Sequence, residues 1–134
     1  MGSRRRTVEH IGEWKLLLWA DAPAEVFIEA ARALAERAGP RLGERSEWQP
    51  IRLQARDRAG LLVDWLNELI FLGETRGVAV EEVADLQLTE TTLQCRVRGA
   101  RLREWRSPAK AATFHDLRFE PTAQGWRASV ILDV

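Results

Sequence analysis

Apolar residues recur along this chain in two rhythms, and the switches between them mark out its elements. The run Trp14-Lys15-Leu16-Leu17-Leu18-Trp19 is short, continuous and bulky, with Gly12 before it and Asp21 and Pro23 after it, which predicts a strand. Asp21, Pro23 and Glu25 then read as a helix start: a capping side chain, a proline in the first turn, and an acid near the positive end of the helix dipole. Val26, Phe27, Ala30, Ala33 and Leu34 form the buried stripe of that helix, and Gly39-Pro40 should stop it. After a turn at residues 43–46, residues 48–55 carry Trp48, Ile51, Leu53 and Ala55 in a strand-like pattern. The strongest helix covers residues 57–72, where Leu61, Leu62, Trp65, Leu66, Leu69 and Leu72 recur at three- and four-residue steps behind Asp57 as cap. Asn67 and Glu68 fall off that stripe and are expected in solvent.

Beyond Gly77 the pattern changes to strands. Residues 78–83 and 84–88 make short extended pieces, and residues 91–99 alternate Leu93, Cys95 and Val97 against Gln94, Arg96 and Arg98. Residues 101–107 form a polar connection anchored by Trp105. Two final runs, 111–119 and 126–134, flank a turn-rich stretch of hairpin length and should pair antiparallel. The order strand, helix, strand, helix, then strands predicts an α+β fold, with two main helices packed on a largely antiparallel sheet in a single domain. Residues 1–7, with Arg4-Arg5-Arg6, are expected as a flexible N-terminal arm and residues 8–134 as the domain itself.

Composition narrows the function classes. Lysines plus arginines number 20 and aspartates plus glutamates 20, so the chain lacks a global basic field and strong direct nucleic-acid binding is not expected. A single cysteine, Cys95, rules out an intramolecular disulfide and agrees with a reducing compartment. No apolar stretch approaches the roughly 20 residues of a membrane span, so no membrane partner and a cytoplasmic location are expected. Lys15 and Lys110 are the only lysines in a chain that otherwise uses arginine, which draws attention to Lys110 as a compact ammonium.

Standard catalytic signatures are missing. There is neither a GxxxxGK[ST] nor a GxGxxG loop for phosphates, and His10, His115 and Cys95 have no zinc-like spacing. Ser107 or Ser129 with His115 and Asp116 makes only a weak hydrolase triad, since no GxSxG elbow accompanies them. The chain's end is more informative. The apolar run Ala128-Ser129-Val130-Ile131-Leu132 reads as a buried strand, followed by the Asp133 carboxylate and the terminal carboxylate of Val134. Two anions at the end of a rigid strand are a candidate site for a hard cation with oxygen ligands; read alone, the segment favours two solvated carboxylates. The cluster Glu9-His10-Ile11-Gly12-Glu13 before the first bulky strand offers a further carboxylate if the strand ends meet.

Four segments, in order, resemble the archease family. Glu9-His10-Ile11-Gly12-Glu13 is similar to that family's DHTAD or EHTAD opening, and residues 19–27 to its aromatic-Gly-x-Thr-x-x-Glu-x-Phe helix entry. Residues 61–70, LLVDWLNELI, resemble its LLxxWLNELL helix, and Lys110-Ala111-Ala112-Thr113-Phe114-His115 with residues 126–134 resembles its KAxTYH segment and closing strand. The resemblance implies a cytoplasmic, chaperone-like, metal-binding accessory protein of tRNA processing. Such a protein promotes guanylylation and multiple turnover of an RtcB-type RNA ligase in tRNA splicing or RNA repair, and is an activator rather than a catalyst. It further implies that a divalent cation, Ca²⁺ or Mg²⁺, is held by Glu13, Asp133 and Val134, and that Lys110 serves ligase activation. One departure is Glu13, where the family has Asp: the extra methylene moves the oxygen by roughly 1.5 Å, about one carbon–carbon bond. Ca²⁺ absorbs such a shift more easily than Mg²⁺, which demands near-octahedral geometry. The alternative is a diverged interaction module of the same family that has lost its metal.

Overall fold

The structure is a computed structural model that describes residues 2–134. Strand β1 (Arg4–His10) turns through Ile11 and Gly12 into β2 (Glu13–Ala20), and helix α1 (Pro23–Glu36) follows. Strands β3 (Arg41–Arg45) and β4 (Gln49–Gln54) precede helix α2 (Arg58–Arg76), and then come β5 (Val78–Leu88) and β6 (Thr92–Leu102). The chain ends with β7 (Ala111–Ala112), β8 (Arg118–Thr122) and β9 (Gly125–Asp133). The α+β class is as expected, but the strands divide into two antiparallel sheets rather than one. In the first, β9 lies between β2 on one side and β7 and β8 on the other, with β1 outside β2; in the second, β6 pairs with β3, β4 and β5.

Trp14, Leu16 and Leu18 from β2, Leu93, Cys95 and Val97 from β6, and the apolar stripes of both helices meet in one core. Trp65 anchors it: its indole N–H donates to the Phe27 carbonyl at 2.8 Å, and its ring meets Phe27 edge to face with centroids 6.3 Å apart. Helix α2 is capped as read, Asp57 accepting from the Gly60 amide at 2.7 Å, and it ends at Gly77 in the left-handed region, φ 63°. Gly73, inside that helix, has a packing reason: a Cβ there would lie 2.2 Å from the Trp105 ring.

Several expectations are corrected. Ala22, with no side-chain cap, holds the N-cap of α1 in place of Asp21, and the 43–46 turn is replaced by β3. The 111–119 run breaks into β7, a loop and β8: Thr113 still donates to the Ile131 carbonyl of β9 from both its amide and its hydroxyl, at 2.9 and 2.8 Å, and the chain turns away after it, where the Leu117 amide donates to the Phe114 carbonyl and Asp116 adopts φ 51°. Of the expected N-terminal arm, residues 4–7 are strand, paired from Arg4↔Trp19 to Thr7↔Leu16. Arg5 explains the difference. It donates to Glu29 and Glu36 on α1, while Ser3 donates to Glu29 at 2.7 Å, and these bonds hold an otherwise polar strand against the helix.

Candidate metal centre

Register brings the two ends of the chain together. Residue pairing along β2 and β9 runs from Ala20↔Trp126 to Glu13↔Asp133, so the two acidic residues stand directly opposite each other. Directly opposed residues on antiparallel strands carry their side chains on the same face with Cβ atoms about 4.5–5.5 Å apart. Trp14, Leu16 and Leu18 point into the core, so the alternate residues Glu13, Lys15, Leu17 and Trp19 point outward, and Asp133 with them. The Val134 amide donates to the Gly12 carbonyl at 3.1 Å, which pins the chain terminus to the β1–β2 turn, where Gly12 adopts φ 78°. Glu13, Asp133 and the Val134 carboxylate thus share one corner of the sheet.

On the other side of β9, Ala111 stands opposite Asp133, and the Lys110 amide donates to the Asp133 carbonyl at 2.7 Å. That bond places exposed Lys110 beside the acidic corner. The residues implied for the site are therefore neighbours, although 120 positions separate Glu13 from Asp133.

Asn67 holds this arrangement and was missed by periodicity. Its side-chain oxygen accepts from the Ala112 amide at 2.8 Å and its NH₂ donates to the Ala112 carbonyl at 3.3 Å, so the amide continues the sheet as one more rung beside β7. A two-residue strand has little pairing of its own, and the helix supplies the rest. The available signal was that buried Val63 and Ile70, four before and three after, put Asn67 at the border of the buried stripe.

The donor chemistry of the two side-chain carboxylates, which offer only oxygen atoms, suits a hard cation. Among the described residues neither Glu13 nor Asp133 forms an ion pair with an arginine or lysine. Also among the described residues, no group of three or more His, Cys, Asp or Glu is placed to hold a metal ion. Cys95 is no rival, since burial on β6 pushes its thiol up to about 11 and keeps it neutral. The hydrolase triad does not assemble either. Ser107 donates to the Ala109 carbonyl and Ser129 to the Asp116 carbonyl, while His115 and Asp116 are exposed side by side.

The chain matches the Archease protein family (MTH1598/TM1083) over residues 6–134. It is 30% identical to protein archease of Methanosarcina acetivorans over 145 residues, which covers 99% of this chain and 97% of the relative. Protein archease of Methanopyrus kandleri is 30% identical over 138 residues, 95% of this chain and 96% of the relative. Among solved structures, the solution structure of Methanobacterium thermoautotrophicum protein 1598 superimposes with a TM-score of 0.75 at 25% identity, covering 97% of this chain and 98% of the other. The crystal structure of an archease, possible chaperone, from Thermotoga maritima shares the fold with a TM-score of 0.63 at 21% identity, covering 98% of each chain.

Proposed function

The chain belongs to the archease family, and from that premise we propose that it is a metal-binding accessory protein that promotes guanylylation and multiple turnover of an RtcB-type RNA ligase in tRNA splicing or RNA repair. The observation that carries the metal half of this reading is the register pair Glu13↔Asp133 beside the chain terminus. Glu13, Asp133 and the Val134 carboxylate would hold the ion, Ca²⁺ in preference to Mg²⁺ because the glutamate is the longer ligand. A bound divalent cation supplies positive charge for phosphate oxygens at an acidic corner that would otherwise repel them. The Lys110 ammonium would add a second cation: Lys110 precedes β7, and its backbone amide ties it to this corner through the Asp133 carbonyl.

The test is Asp133→Ala. The variant is expected to keep its fold, since Asp133 is exposed, and to lose stimulation of multiple-turnover ligation together with calorimetric Ca²⁺ binding. Ligase stimulation equal to that of the unmodified protein would overturn the proposal. The second reading, an interaction module without metal, is favoured by one observation: the side chains alone supply only two clustered ligands among the described residues. It requires the unmodified protein to take up no Ca²⁺ at millimolar concentration.

A further inference from the structure

A chain with balanced charge segregates that charge on its surfaces. The register of the first sheet arranges the outward side chains in cross-strand rows, with both helices on the opposite side. One row reads Arg4, Trp19, Arg127, Glu120, and the next Arg6, Leu17, Ser129, Arg118. Lys15 belongs to the third, and the fourth ends the face with Glu13 and Asp133. Rows are two residues apart along the strands, so the face runs roughly 20 Å from Arg4 to the acidic corner.

The face carries Arg4, Arg6, Lys15, Arg118 and Arg127 against Glu120 and, at its far end, Glu13 and Asp133. Arg127 pairs with Glu120, whose carboxyl also feels the charge of Arg118, while Arg6 and Lys15 form no ion pair among the described residues. On the second sheet's outward face Glu82 takes both Arg45 and Arg98 and Asp85 takes Arg96, and Arg96 and Arg98 also lie over the Trp48 ring. Holding cations apart without counter-charges costs free energy through mutual repulsion, which a polyanion laid across them relieves. The face also carries an aromatic side chain: the Arg4 guanidinium lies over the Trp19 ring at 4.7 Å, so a base stacking on that side of the ring must displace it.

We propose that this outward sheet face binds a single-stranded polynucleotide. Arg6, Lys15, Arg118 and Arg127 neutralise phosphates, and Trp19 takes one base by stacking. Sheets that present aromatic rings among cations bind single strands by this division of labour. Affinity comes from the backbone, so it falls in the roughly 10⁻⁴ to 10⁻⁶ M range of sequence-independent binding and depends on salt. The inference stands apart from the metal reading, since it is measured without metal and without ligase.

The experiment is fluorescence anisotropy of the full chain with labelled 12-nucleotide oligouridine and its DNA counterpart, over a salt series. Saturable binding at low salt is expected, to one or both probes, which also tells whether the sugar hydroxyl contributes. The double variant Arg6→Glu with Arg118→Glu should weaken it at least tenfold, and neutral Arg6→Gln with Arg118→Gln should reduce the salt slope by roughly 1.4, two contacts at about 0.7 each. Trp19→Ala should weaken binding about fivefold or more. Arg52→Glu, on the second sheet, should leave it unchanged, and circular dichroism keeps loss of fold separate from loss of binding. Three results overturn the proposal: no saturable binding by the unmodified chain; equal weakening by Arg52→Glu; or displacement of the probe by polyglutamate as readily as by unlabelled oligonucleotide, which would make an acidic protein surface the occupant.

Discussion

Asn67 shows how much a single side chain decides in this protein. It is the only contact through which α2 grips the backbone of β7 by hydrogen bonds in the described residues, and β7 in turn sets Lys110 beside Asp133. Asn67→Ala strands the amide and carbonyl of buried Ala112, a cost of about 1–3 kcal/mol. The expected result is a stability loss of that size in urea unfolding, with faster amide exchange at Lys110 and Ala112 than elsewhere in the sheet. Uniform acceleration across the sheet would mean that Asn67 acts on the whole core and not on β7. Helical periodicity could place Asn67 only on a face of α2. That its amide substitutes for a missing strand depends on a partner 45 residues away, which no local pattern contains.

At the scale of elements, what was legible followed burial. Strand β2, the stripes of both helices and β9 were readable because each buries a periodic set of apolar residues, and periodicity is a direct image of burial. Strand β1 was not, because its inward positions hold Arg5 and Glu9 rather than apolar groups, and these meet Glu29, Glu36 and Arg37 on α1. The site divides in the same way: Asp133 and Val134 drew notice as anions at a strand end and the family resemblance named Glu13 as their partner, while the meeting of Glu13 with Asp133 came from the register of β2 on β9. The polar attachment of β1 makes a pH prediction. Burial opposes ionisation of Glu29, but hydrogen bonds from Ser3 and Arg5, the charge of Arg5 and a bond from Arg32 outweigh it, so its carboxyl titrates below the ordinary value of 4.5. A carboxyl lowered on folding contributes stability that is complete above its unfolded value and lost as pH falls through its folded value. Glu29→Gln should therefore cost stability near neutrality, and the cost should shrink as pH falls through the folded value. Urea midpoints of both proteins measured from pH 7 to pH 3 check it; a difference that stays constant with pH would remove Glu29 from the account.

Across the whole molecule, the acidic corner joins the first residue of β2, the last of β9 and the chain terminus, so whatever binds there ties together strands from opposite ends of the chain. Unfolding separates those carboxylates by most of the chain length and destroys the site. A cation that binds only the folded form stabilises it by about 2.7 kcal/mol at one hundred times its dissociation constant. For a domain of this size that amounts to a rise of roughly 10 °C in melting temperature. Without metal, the opposed carboxylates repel, so Asp133→Asn should melt at or slightly above the unmodified protein. With saturating Ca²⁺ the order should reverse, because only the unmodified protein keeps both side-chain ligands. Glu13→Asp should restore the shorter ligand of the family pattern and narrow the preference for Ca²⁺ over Mg²⁺. Melting curves of the three proteins with chelator, Ca²⁺ and Mg²⁺ test this without any ligase. A Ca²⁺ shift of equal size in Asp133→Asn would place the ion elsewhere, and no shift in any of the three would leave the corner as a protein-binding surface whose carboxylates await a partner's cation.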